Sequence, residues 1–301
     1  MQVQLSPLNL DAMVRECDAI IADNPYIPSG YMWAVEYKRY QIELARGNTW
    51  LALQYLKRTI ALNPYSDDLV NEYVRTCRRQ SPIEFVALII TSKKNEAKAL
   101  KLAMHLDASG IDYAIVTGND TAPIVHERSV QVNVKDNYES LGRKVVAACT
   151  WVYENLSPDI SILKLDDDML VENPITLRNK LALFKEHGLY VGLPSHMGGD
   201  HDRCRHWGKC EDPALNQRVY SRPYYRAWAE GDAYFMAAGV MQKLVLSLIR
   251  FPAQFEGEFY EDKLIGDVLM FEGVNLTALE SYADMGMASG KVADDNEGTA
   301  A

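Results

Sequence analysis

The chain has 301 residues, 48% hydrophobic and 24% charged, an ordinary globular balance but long for one compact core. Its net charge of −10 gives no electrostatic reason to expect nucleic acid or an anionic membrane as a partner. No stretch approaches the roughly 18 consecutive apolar residues of a bilayer span. The first residues carry no secretory pattern, and five cysteines are a sparse, odd set, so a cytoplasmic protein is expected.

Residues 1–82 read as a helical region. Apolar positions recur at helical spacing over 10–21, 31–44, 50–62 and 69–77, and Asn24-Pro25 and Asn63-Pro64 close helices. Gly47, Ala52 and Pro64 match the spacing in the second half of a tetratricopeptide repeat, with Thr59 where that repeat expects alanine. One copy is visible where a stable array needs about three. A helical cap on the main domain and a module that binds a partner or acceptor both fit this pattern.

Arg78-Arg79-Gln80-Ser81-Pro82 marks the boundary of a second domain over 83–290. Its first segment, Phe85-Val86-Ala87-Leu88-Ile89-Ile90, predicts a strand buried on both faces. A helix follows over 96–106, then strands at 113–116 and 130–134 and a helix over 138–154 that takes Cys149 into the core. The apolar run Ile160-Ser161-Ile162-Leu163-Lys164-Leu165 predicts another strand, followed by a helix past Pro174 and a strand at 189–193. Strands alternating with helices imply an α/β fold with a mostly parallel sheet, whose ligands collect at the carboxyl ends of strands. Residues 194–223 read as a long loop of the kind that binds something. The tail, 291–301, is small and polar and is expected to be disordered.

Asp166, Asp167 and Asp168 stand at such a carboxyl end. If extended geometry continues through them, Asp166 and Asp168 share a face, roughly 7 Å apart. Three adjacent carboxylates beside a core repel one another unless a cation or firm hydrogen bonds offset them. Mg²⁺ or Mn²⁺ takes such oxygen ligands and bridges them to a substrate's phosphates.

Four segments then resemble one family. Asp136-Asn137-Tyr138-Glu139-Ser140-Leu141-Gly142-Arg143-Lys144 is similar to the D-x-Y-x-N-L-x-x-K segment of β-1,3-galactosyltransferases and Fringe-type N-acetylglucosaminyltransferases, with Ser140 in place of the asparagine. Leu163 to Val171 resembles their K-x-D-D-D-x-x-V block. Tyr225-Arg226-Ala227-Trp228-Ala229-Glu230-Gly231-Asp232-Ala233-Tyr234 resembles Y-P-x-Y-x-x-G-x-x-Y, and Tyr260-Glu261-Asp262-Lys263-Leu264-Ile265-Gly266 resembles E-D-V-x-x-G. The matches keep the family's order and span about two-thirds of the chain.

The resemblance implies a GT-A fold, a UDP-sugar donor, a divalent metal (Mn²⁺ or Mg²⁺) and inversion at the anomeric carbon. Carried over by position, Asp168 coordinates the metal and Asp166 holds the ribose or a metal-bound water. Asp167 contacts the donor sugar, Thr91, Ser92 and Lys93 bind uridine, and Asp262 is the general base. Lys144 and Gly231 join the donor side, and Trp207, Tyr225, Trp228, Asp232 and Glu261 the acceptor side. The chemistry is consistent with this, because one in-line displacement needs a proton acceptor and a cation for the leaving diphosphate.

Two departures stand out. No histidine follows His206, where the family supplies a further metal ligand, and the family's amino-terminal membrane anchor is missing, which suggests a bacterial or viral member. The set His201, Cys204, His206 and Cys210 invites a zinc reading, but its spacing is tighter than the common patterns, and a mobile acceptor-side loop is expected instead. Tyr220, Tyr224, Tyr225, Trp228 and Tyr234 could stack on sugar or fill the core. The expected activity is transfer from a UDP-sugar to a saccharide or glycolipid in surface-glycan assembly. The alternatives are a protein or modified phage DNA as acceptor, or a non-catalytic nucleotide-sugar-binding module.

Overall fold

A computed structural model describes residues 7–23, 29–119, 121, 123–195, 208–217, 227–255 and 258–290. The chain divides into two compact units, one of Met1–Cys77 with Leu246–Ala253, the other of Arg78–Val245 and Gln254–Ala301. Among the described residues no helix is long and apolar enough to cross a membrane.

The first unit holds α1 (Pro7–Asp23), α2 (Ser29–Ala45), α3 (Thr49–Leu62) and α4 (Asp67–Cys77). Gly47 sits at φ +76° between α2 and α3, a left-handed position that suits a residue without Cβ. Asn48 then caps α3, its side chain accepting from the Leu51 N–H at 3.4 Å. Tyr40, Ile42, Ala52, Leu56, Ile60 and Tyr73 form the buried interior of this helical unit.

The second unit runs β1 (Phe85–Ile90), α5 (Glu96–Ala108), β2 (Tyr113–Asn119), β3 (Ile124–His126), β4 (Ser129–Asn133), α6 (Leu141–Asn155), β5 (Ser161–Asp166) and β6 (Met169–Val171). It continues with α7 (Pro174–Glu186), β7 (Tyr190–Pro194), α8 (Pro213–Gln217), β8 (Ala229–Met236), α9 (Ala238–Arg250, part of the first unit from Leu246 on), α10 (Glu261–Phe271), β9 (Leu276–Ala278) and β10 (Met287–Ser289). Eight strands form one sheet in the order β3-β4-β2-β1-β5-β8-β7-β9, while β10 pairs with β6. The run β4-β2-β1-β5 is parallel throughout, as the alternation of strands and helices predicts; β8 enters antiparallel to both neighbours, and β7 and β9 are parallel. Helices flank the sheet, so β1 and β5 are buried almost end to end and Cys149 on α6 is in the core.

The structure alters the geometry of the acidic triplet. Asp166 is the last residue of β5, whereas Asp167 and Asp168 form a turn into β6. Extended alternation therefore stops at Asp166. β10 fixes the far side of that turn, Gly290 N–H donating to the Asp168 carbonyl at 2.7 Å.

Candidate active site

The site begins with a register. Ile90 pairs with Asp166 in the parallel β1–β5 ladder, so the residues after each strand leave the sheet side by side. Thr91, at the end of β1, donates from its hydroxyl to Asp167 Oδ2 at 2.5 Å. Thr91, Ser92, Lys93, Asp166, Asp167 and Asp168 then line one cavity of about 640 Å³, with Asp136, Tyr138, Lys144, Lys209 and Glu211 among its other walls. That volume is the size of a small-molecule pocket.

Asp136 is the hub of the cavity's inner wall. Its Oδ1 accepts from Lys144 Nζ at 2.6 Å and from Gly118 N–H at 3.0 Å, and its Oδ2 accepts from Lys93 N–H at 2.9 Å. Burial pushes this carboxyl up, but the Lys144 ammonium and the two backbone donors outweigh it and hold the group below the ordinary aspartate value. Lys144 also donates to the Thr91 carbonyl at 2.9 Å and is 3% exposed. Its ammonium is thus committed to protein oxygens, and it shapes the wall through Thr91 and Asp136.

The segment 208–217 closes the rim beside Tyr138. Glu139 accepts from the backbone N–H groups of Glu211 and Asp212, both at 3.2 Å, and Lys135 pairs with Glu211 at 2.9 Å. Lys209 Nζ stands 5.5 Å from the centre of the Tyr138 ring.

Behind the triplet lies a second carboxylate group. Lys164, fully buried in β5, donates to Asp166 Oδ1 at 2.5 Å and to the Gly231 carbonyl, and lies 3.8 Å from Glu261 Oε2. Glu261 also accepts from the Tyr234 hydroxyl. Burial raises the Glu261 carboxyl to about 7; Lys164 and Tyr234 oppose the rise, and Asp262 adds to it. Asp262, half-buried in the first turn of α10, accepts from Lys263 N–H at 2.8 Å. Burial pushes its carboxyl above the ordinary aspartate value, against the backbone N–H of Lys263 and the Trp228 indole. The N-cap of α10 is Tyr260, so Asp262 is not the capping residue. A Cβ on Gly231 would stand 3.1 Å from Glu261 Oε2 and 3.8 Å from Asp262 Cβ, so a side chain here would crowd both carboxylate residues.

Tyr138 is also part of the cavity wall, and its phenol is raised by burial and, among its neighbours, by the charges of Asp262 and Asp166.

Of the residues expected on the acceptor side, Trp228 and Glu261 are buried. Trp228 is 4% exposed, with Lys263 Nζ 5.9 Å from its ring centre and Gly266 so close that a Cβ there would fall 2.3 Å from Trp228 Cβ. It is packed against Gly266 of α10. Tyr234 and Glu261 are equally enclosed, because β8 and α10 turn them inward. Asp232 is half-buried, with the Ser289 hydroxyl 3.4 Å from its Oδ2. Trp207, Tyr220, Tyr224 and Tyr225 fall outside the described residues, as do His201, Cys204, His206 and the tail at 291–301. Cys210 is described and buried, its backbone held by the Asn216 side chain at 3.0 and 2.9 Å.

Asp166 and Asp168 offer a cation hard oxygen donors at the cavity wall. Among the described residues no three His, Cys, Asp or Glu side chains converge on one point. That donor set fits a Mg²⁺- or Mn²⁺-like ion that takes its other oxygens from phosphates and water.

Residues 121–280 match the galactosyltransferase family. Among solved structures, the chain is similar to a glycosyltransferase involved in the glycosylation of the major capsid of PBCV-1. The identity is 13%, over 66% of this chain and 83% of that one, with a TM-score of 0.37. It is also similar to the apo form of the bifunctional glycosyltransferase WbbM, with 10% identity over 89% of this chain and a TM-score of 0.39; the match spans 60% of that longer chain. No curated protein sequence matches.

Proposed function

The chain belongs to the galactosyltransferase family and is a glycosyltransferase, and from that premise we propose a metal-dependent, inverting enzyme that moves a hexose from a UDP-sugar to a hydroxyl of a saccharide or glycolipid. The observation that carries this reading is the adjacency of two different carboxylate sites. Asp166, Asp167 and Asp168 line a donor-sized cavity, and the buried Lys164 joins Asp166 to Glu261, the residue next to Asp262.

In the proposed reaction the acceptor oxygen bonds to the anomeric carbon as the bond from that carbon to the diphosphate breaks. The electron pair leaves with UDP, and the acceptor's proton passes to Asp262. The raised Asp262 carboxyl suits this, since a base works best when its pKa approaches the working pH. Thr91, Ser92 and Lys93 hold the nucleotide, and Thr91 orients Asp167 toward the donor. Lys144 acts at one remove by keeping Asp136 and the Thr91 carbonyl in place. Asp168 and Asp166 would hold Mn²⁺ or Mg²⁺, which when bound supplies positive charge to the leaving diphosphate.

The test is a thermal-shift screen of UDP-sugars with and without Mn²⁺. One donor should raise Tm in a metal-dependent way, by about 2.7 kcal/mol of stability at 100 times Kd. If no UDP-sugar stabilises the protein in Mn²⁺, the proposed donor class is wrong.

A further inference from the structure

We propose that Lys164 is a positioning residue that locks the cavity carboxylate Asp166 and the Glu261–Asp262 pair into one fixed geometry. The proposal rests on the functional reading above.

Lys164 sits in the middle of β5, paired with Leu88 of β1 on one side and Tyr234 of β8 on the other. An unpaired ammonium at such a place would be strongly destabilising, so its partners define its purpose. They come from three elements: Asp166 two residues along the same strand and on the same face, the Gly231 carbonyl of β8, and Glu261 at the start of α10. Asp166 and the Gly231 carbonyl accept hydrogen bonds from the ammonium, and Glu261 Oε2 at 3.8 Å adds an ion-pair contact. Its Nζ also lies 5.7 Å from the centre of the Tyr234 ring, the residue whose hydroxyl donates to Glu261.

The arrangement couples two places that the reaction must keep in register. Asp166 faces the cavity where the donor is expected, and Glu261 directly precedes the proton acceptor. Gly231 has no side chain to hold these groups apart. A displacement of α10 relative to β5 would stretch the contact to Glu261, and a rotation of Asp166 would break the one at 2.5 Å.

A mere counter-ion for Glu261 would account for the burial but not for the contacts to Asp166 and Gly231. The two roles separate in a pair of variants. Lys164→Met keeps the length and removes the charge, leaving both the part-exposed Asp166 and the buried Glu261 uncompensated. Lys164→Met combined with Glu261→Gln removes the uncompensated buried charge at Glu261 but does not restore the bridge to Asp166. For each, Tm, binding of Mn²⁺ in the presence of UDP (read from the EPR signal of free Mn²⁺), and kcat and KM for sugar transfer are measured, with Lys164→Arg as the charge-preserving control.

Lys164→Met should lose stability and activity together. The double variant should recover Tm while kcat stays about 10²-fold down, the scale expected for misplacement of a reacting group by an ångström, with Mn²⁺·UDP binding weakened. Lys164→Arg should regain part of kcat. If the double variant recovers kcat and Mn²⁺·UDP affinity along with Tm, Lys164 is only a counter-ion and the proposal fails. Normal kcat in the single variant overturns it as well. If the wild type itself holds no Mn²⁺ with UDP, the functional reading falls and takes this inference with it, whereas a wild type that binds and transfers alongside unaffected variants removes this inference alone.

Discussion

Asp136 and Asp262 are the same residue type in the same candidate site, yet their carboxyls are pushed in opposite directions. Burial acts on both. Asp136 receives an ammonium and two backbone N–H groups, and these hold it low. Asp262 has the Lys263 N–H, the Trp228 indole, the Lys164 charge and its own N–H acting to lower it, yet burial outweighs them and it stays high. Asp136 therefore stays ionised against the Lys144 ammonium, while burial shifts the carboxyls at the start of α10 toward holding a proton. Surroundings, and not residue type, set the two directions.

The comparison breaks most visibly at the cavity. Asp168→Ala should abolish sugar transfer while leaving Tm close to wild type, and EDTA should reproduce this in the wild-type protein, with Mn²⁺ restoring activity. Full activity in EDTA would remove the cation from the account.

A smaller effect is expected at Asp136. Asp136→Asn leaves Lys144 without its counter-charge and should cost about 2–4 kcal/mol of stability, with a higher KM for donor. Because the Asp136 carboxyl is held low when folded, its contribution is present above the unfolded aspartate range near pH 4 and is lost as pH falls through the lowered value. Urea titrations of wild type and variant should thus converge only in strong acid.

The smallest effect has the opposite sign. Glu261 is raised from 4.5 to about 7, so its protonated form stabilises the fold below pH 4.5 and that contribution is lost as pH rises toward 7. Glu261→Gln should match wild type in acid and gain on it by about 1–3 kcal/mol through that window. Parallel pH dependences for the two variants would refute this contrast.

Much of this was legible in the residues. The apolar runs at β1 and β5 announce buried strands, and three acids at the end of one of them announce a site. Lys164 was visible as a lone charge inside the apolar run with Asp166 two residues on, but its other partners arrive from β8 and α10, which nothing local names. Asp136 was visible only as part of a motif. Its role depends on the parallel register that brings the ends of β1 and β2 to it. Trp228 and Glu261 were readable as an aromatic and a carboxylate near a base, which suits an acceptor surface. What sequence could not convey is that Gly266 seats Trp228 and that α10 turns Glu261 inward. β8 was hidden because its first half is polar and only half-buried.

The central claim is that the base at α10 is separate from the donor anchor at the end of β5. Asp262→Asn tests it most directly, with Mn²⁺·UDP-sugar affinity and single-turnover transfer measured on the same protein. Asparagine keeps the shape but cannot accept the hydroxyl proton, so transfer should fall about 10²–10⁴-fold with donor affinity unchanged. Transfer at the wild-type rate, or a donor affinity that collapses together with transfer, would contradict it.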